Sequence, residues 1–117
     1  MTRGVVGSRS FEDLERFGRE IDALTADQSI ECFVSGGADG ADALAERYAS
    51  LRLIPMVVHE AQWERYGAKA GPKRNRLIVE DSDVLVAFWD GLSTGTWNSI
   101  ERAQKLGKTV HILDVSD

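Results

Sequence analysis

The stretch "SGGADGADALAERYA", Ser35 to Ala49, decides how this chain is read. An apolar run, Ile30 to Ser35, stops at Gly36 and Gly37, and a helical pattern follows at once. Ala41, Leu44, Ala45, Tyr48 and Ala49 fall at i, i+3, i+4, i+7 and i+8, which builds one apolar helix face. A strand, a glycine turn and a helix in this order form half of a parallel βαβ unit.

The same alternation continues on both sides. Arg3–Gly7 is a short apolar run that ends in glycine and reads as a buried strand. In "SRSFEDLERFGREIDALTA", residues 8–26, Ser10 with Asp13 resembles a helix-start box, and Phe11, Leu14, Phe17, Ile21 and Leu24 keep near-helical spacing. Met56, Val57 and Val58 form a third strand, and Pro55 marks a weak start or a sheet edge. Gly67, Gly71 and Pro72 punctuate the least regular segment, in which Pro72 suits the first turn of a helix running through Leu77 and Ile78. Val84–Trp89 is a strongly apolar strand ending at Asp90-Gly91. A loop and a helix stopped by Gly107 lead to a last strand, "TVHILDV".

The order β-α-β-α-β-α-β-α-β with right-handed crossovers predicts an α/β fold: a single Rossmann-like three-layer domain over residues 1–117, with a mainly parallel five-stranded sheet. No internal repeat, low-complexity run or linker interrupts it.

Composition narrows the function. With 43% hydrophobic and 28% charged residues the chain is an ordinary globular protein, and at 117 residues it is long enough for a core without staples. The net charge of −5 and the lack of a basic block argue against binding long nucleic acid, although Lys69, Lys73, Arg74 and Arg76 form a local basic cluster. The single cysteine, Cys32, lies in an apolar run and fits a packing role in a reducing compartment. With no signal-like or membrane-length apolar run, the expected location is cytoplasmic, away from membranes. The two histidines, His59 and His111, have no metal spacing, so neither a metal nor a cofactor is expected.

In open α/β sheets ligands bind beyond the carboxyl ends of the strands. The tips here carry Gly7-Ser8-Arg9, Ser35-Gly36-Gly37, His59-Glu60 and Asp90-Gly91. Two tips resemble anion sites. At Gly36, Gly37 and Gly40, helix-start N–H groups with no Cβ in the way suit a phosphate. The structural alternative is a tight turn capped by Asp39. Asp42 would repel a phosphate there, so it is expected to accept from a ribose hydroxyl or from helix N–H groups. At Ser93, Thr94, Gly95 and Thr96 a second helix start offers hydroxyls and N–H groups. Between them in sequence, "GPKRNR" presents Arg74, which can grip phosphate, and Asn75, which can donate and accept. His59 is a hydrogen-bonding candidate. Trp89 and Trp97 suit either base stacking or packing.

Taken in order, "VVGSRSF", "VSGGADGADALAERYA", "AGPKRNR" and "DVLVAFWDG" with "STGTWNSIE" resemble the YspA-like members of the SLOG superfamily. That superfamily takes in Lonely Guy phosphoribohydrolases, the DNA-processing protein DprA and nucleotide-sensing domains. The resemblance covers nearly the whole chain. It implies a pocket at the strand tips for a nucleotide or nucleotide-derived small molecule and, with three tryptophans in a small chain, a homodimer. It places Gly7, Ser8 and Arg9 on the first-strand turn and Gly36, Gly37, Gly40 and Asp42 on the glycine-rich turn. Gly71, Arg74 and Asn75 fall on the segment that carries the Lonely Guy catalytic arginine, with Arg74 its closest counterpart. Gly95 and Thr96 fall on the phosphate loop. That loop reads P-G-G-x-G-T-x-x-E in Lonely Guy enzymes, where the glutamate helps break the N-glycosidic bond. Here "GLSTGTWNS" puts Ser99 in its place, and Glu101 lies about 200° further round the helix.

Three functions follow as expectations. The first is a binding module that holds a nucleotide-derived ligand through the residues above. The second is a nucleotide N-glycosidic hydrolase in which Arg74 acts with a relocated carboxylate, Asp42, Glu60 or Asp90. The third is a DprA-like single-strand binder using Trp63 and Arg74.

Overall fold

The computed structural model describes residues 1–25 and 29–116. Ala26, at the end of the first helical stretch, and Asp117, at the end of the domain span, lie outside them. Five strands, β1 (Thr2–Gly7), β2 (Cys32–Ser35), β3 (Met56–Val58), β4 (Val84–Trp89) and β5 (Thr109–Asp114), form one sheet. Its order is β3-β2-β1-β4-β5 and every pair is parallel. The chain therefore starts in the middle, winds out to β3, and crosses back over β1 to β4. The α-helices are α1 (Leu14–Leu24), α2 (Ala41–Arg52), the short α3 (Trp63–Tyr66), α4 (Ala70–Asp81) and α5 (Thr94–Lys105). A 3₁₀ turn, Gly67–Lys69, joins α3 to α4, so the least regular segment is largely helical.

Alternation along the inner strands divides the core into two layers. Val5, Phe33, Val86 and Phe88 face Phe17 and Ile21 of α1 and Leu44, Ala45 and Tyr48 of α2. Val6, Val34, Leu85 and Ala87 face Ile78 and Val79 of α4 and Ile100 and Ala103 of α5. The outer strands are less covered: β3 and β5 carry exposed or half-buried residues throughout, and β3, entered from Pro55, is an edge. Cys32 is half-buried rather than fully packed. Among the described residues no helix is long and apolar enough to cross a membrane.

Two helix starts differ from expectation. α1 begins after Asp13, whose carboxylate accepts from the Arg16 N–H at 3.0 Å. Ser10 instead bonds back to Ser8. The preceding loop is held there because Phe11 stacks on Phe88, ring centroids 5.2 Å apart. α2 is capped by Gly40 at φ +77°, not by Asp39, and has no side-chain cap. The second strand also begins at Cys32, two residues later than the apolar run suggests.

The carboxyl end of α4 is closed from a distance. The Lys108 ammonium donates to the carbonyls of Val79, Glu80 and Ser82 at 2.8, 2.9 and 2.6 Å. A cation on the last carbonyls of a helix satisfies orphan acceptors and opposes the negative end of its dipole. Lys108→Met keeps the aliphatic stem and removes these bonds. It is expected to lower unfolding stability by about 1.5–3 kcal/mol, read as a lower urea midpoint with an unchanged slope.

Candidate functional site

The return of the chain across β1 leaves a crevice between the carboxyl ends of β1 and β4, the kind of switch point where open α/β sheets bind ligands. A cavity of about 880 Å³ opens there. Gly7, Ser8 and Arg9 from the β1 tip, Asp42 from α2, Arg74 and Asn75 from α4, and Asp90, Ser93, Gly95 and Thr96 from the β4–α5 connection all stand on its wall. The structure thus gathers these expected residues in one place. Ser35, Gly36, Gly37, Gly40, His59, Glu60 and Gly91 do not line it. His59 turns to α4, where its Nε2 lies 2.6 Å from Asp81. Trp63, expected for a single-strand binder, and Thr94, expected at the second helix start, also line the cavity, as do Ser99, Leu92 and Asn98, which the sequence did not single out as ligand contacts. Among the described residues, no group of three or more His, Cys, Asp or Glu is placed to hold a metal ion.

The glycines of the opening turn make room for protein atoms. A Cβ on Gly36 would fall 2.3 Å from Arg74 Nη1, and one on Gly40 would fall 2.2 Å from the Ser8 carbonyl oxygen. The start of α2 is correspondingly occupied. The Ala41 N–H donates to the Ser8 carbonyl, and the Ala38 N–H donates to Asp42 Oδ2 at 3.2 Å. Asp42 therefore supplies an anion of the protein's own at this helix start.

Arg74 is fixed by two bonds. Its Nη1 donates to the Gly36 carbonyl and its Nε to Asn75 Oδ1, each at 2.9 Å, leaving Nη2 without a protein acceptor among the described residues. Asn75, buried, passes its own amide hydrogen to the Gly95 carbonyl at 3.2 Å. Burial lowers the Arg74 pKa; Asp42 opposes this and nearby Arg9 adds to it. The guanidinium stays charged regardless.

Asp90 organises the facing wall. Its Oδ1 accepts from the N–H groups of Ser93 and Leu92 at 2.8 and 2.9 Å, and its Oδ2 from the Ser8 hydroxyl at 3.2 Å. These donors, Ser93 first, hold its pKa below the usual value. Ser93 then caps α5, accepting from the Thr96 N–H. No protein acceptor stands against the N–H groups of Thr94 and Gly95 among the described residues. Trp89 and Trp97 stack on each other, centroids 5.2 Å apart, and the Trp89 indole donates to the Ser93 carbonyl. This is the packing alternative for both. Trp63, by contrast, is 53% exposed at the cavity mouth.

Burial pushes the Asp42 carboxyl up to about 6, against the pull of the Ala38 N–H and Arg74. Its folded pKa lies above its unfolded one, so the native state binds the extra proton between the two values. Stability therefore falls as pH rises from about 4 to about 6 and stays reduced above. Asp42→Asn is expected to be more stable than the parent at pH 7 by on the order of 2 kcal/mol, the gain fading as pH falls through that window. Urea denaturation at pH 4 and pH 7 checks both halves.

The family model of the YspA, cpYpsA-related SLOG family matches residues 5–66. The gene 61 protein of Mycobacterium phage D29 is 41% identical over 81 residues, which is 63% of this chain and 64% of that protein. DNA processing protein A (DprA) from Streptococcus pneumoniae shares the fold, with a TM-score of 0.75 at 20% identity over 95% of this chain. The match takes up 49% of DprA, so this chain spans about half of that protein. With a family model covering more than half of its length and these motifs at its strand tips, the chain belongs to the YspA, cpYpsA-related SLOG family.

Proposed function

We propose that the cavity binds a nucleotide or nucleotide-derived ligand and that the phosphate is held at the start of α5. The observation that carries this reading is the set of donors around the cavity that have no protein acceptor among the described residues: the N–H groups of Thr94 and Gly95, Nη2 of Arg74 and the Arg9 guanidinium. Helix-start N–H groups and a guanidinium are the chemistry of phosphate binding. The carboxylates nearby are already engaged, Asp90 by three donors and Asp42 by the Ala38 N–H. Trp63, at the mouth, offers a face on which a base can stack.

On this reading a nucleoside binds far more weakly than its 5′-phosphate. Arg74→Ala loses about 1.5–3 kcal/mol of nucleotide affinity, the scale of a hydrogen bond to a charged group. Calorimetry with nucleoside and nucleotide pairs tests both, and equal affinity within a pair rejects the phosphate site.

Asp42 favours a second reading, N-glycosidic hydrolysis. A carboxyl that titrates near pH 6 inside the cavity is poised to exchange a proton with a substrate or a water. If the protein is a hydrolase with this relocated carboxylate, purified protein releases free base from a nucleoside monophosphate, and Asp42→Asn stops release while binding persists. Binding without release by the parent protein leaves the binding module.

A further inference from the structure

Ser99 is 1% exposed, and among the described residues its hydroxyl has no hydrogen-bond partner. A buried hydroxyl left unpaired is costly, and a helical serine usually avoids this by donating back to the carbonyl four residues earlier. Ser82 does so here, to Ile78 at 2.6 Å. For Ser99 that carbonyl belongs to Gly95, which already takes the helical N–H bond of Ser99 itself and the Asn75 amide. Both lone pairs are used, and the hydroxyl is left over. Ser99 lies on the cavity wall, just over one turn of α5 beyond the open N–H groups of Thr94 and Gly95, a separation of about 6–7.5 Å along the axis.

The ribose is the part of a 5′-nucleotide that lies at this remove from its phosphate. We infer that the Ser99 hydroxyl reads a ribose hydroxyl of the ligand, so that the site selects ribonucleotides over their deoxy counterparts. The inference rests on the phosphate reading above and adds a sugar contact to it. Serine suits the task because its hydroxyl both donates and accepts. It can pair with a sugar hydroxyl without bringing a second negative charge beside the phosphate.

The test is calorimetry of a panel of nucleoside 5′-monophosphates, each in ribo, 2′-deoxy and 3′-deoxy form, with the parent protein and Ser99→Ala. The parent is expected to bind the ribo form roughly five- to tenfold more tightly than at least one deoxy form, the worth of one neutral hydrogen bond. Ser99→Ala is expected to bind all three alike. A parent with no preference, or a preference that survives Ser99→Ala, overturns the sugar contact while leaving the phosphate site intact. Failure of the parent to bind any member of the panel overturns the phosphate site as well. Thermal unfolding without ligand supplies an independent readout. Removing an unpaired buried hydroxyl should leave the Tm of Ser99→Ala equal to or above that of the parent. A lower Tm would show that the hydroxyl serves the fold, and would overturn the assignment.

Discussion

The site depends on one buried amide. Asn75 receives Arg74 Nε on its oxygen and gives its hydrogen to Gly95 on the neighbouring helix. The first bond sets the plane of the guanidinium, and the bond from Nη1 to Gly36 fixes its far end. The second ties α4 to the first turn of α5, so the cation and the open helix start keep a fixed relation. It also takes up the acceptor that Ser99 would otherwise use. Asparagine alone among uncharged side chains of this size both accepts and donates through separate atoms. A leucine at this position would lose both bonds, and an aspartate would keep the first and lose the second.

That amide matters because the topology has already made a gap for it to border. β1 is the central strand, and the chain runs outward to β3 before returning to β4 on the other side. The connections that leave β1 and β4 turn to opposite faces, α1 to one and α5 to the other. Their first residues therefore diverge, and a crevice forms between the two tips. The Ser8 hydroxyl reaches across it to Asp90. Since the same carboxylate also holds the N–H groups of Leu92 and Ser93, it shapes the loop that delivers the α5 start to the cavity.

Much of this was legible in the sequence. β3 and β4 have the bounds of their apolar runs, and α5 stops at Gly107 as its glycine suggests. Strand tips become neighbours as soon as the sheet is parallel, so Ser8, Arg74, Asp90 and Thr96 could be grouped before any coordinates. Helix starts were less legible, because the cap is decided by what the preceding loop must bury. Phe11 reads as part of a helical face, yet it leaves the helix to lie on Phe88, and Asp13 takes the cap. In the sequence Ser99 reads only as a missing glutamate. Its significance depends on which atom occupies the Gly95 carbonyl, and that follows from packing α4 against α5, which local sequence does not specify.

The glycine-rich turn illustrates what a sequence signal of this kind reports. Gly36 and Gly40 are needed because something comes within van der Waals contact of the backbone, and that something is Arg74 in one case and the Ser8–Arg9 backbone in the other. The helix start behind them has its anion in Asp42. A phosphate placed beside that carboxylate, when charged, would meet a repulsion of about 4 kcal/mol at contact distance with an effective dielectric constant of 20. At α5 the balance is reversed: among the described residues the first N–H groups are open, while Arg74, which lies between Asp42 and Arg9 electrostatically, keeps a nitrogen without a protein acceptor. Two helix starts of similar sequence character thus differ chemically within one cavity, one occupied by the protein's own carboxylate and one open. On the proposed reading, an anionic ligand would be favoured with its charge toward the open N–H groups of α5 rather than toward the N–H group that Asp42 already occupies.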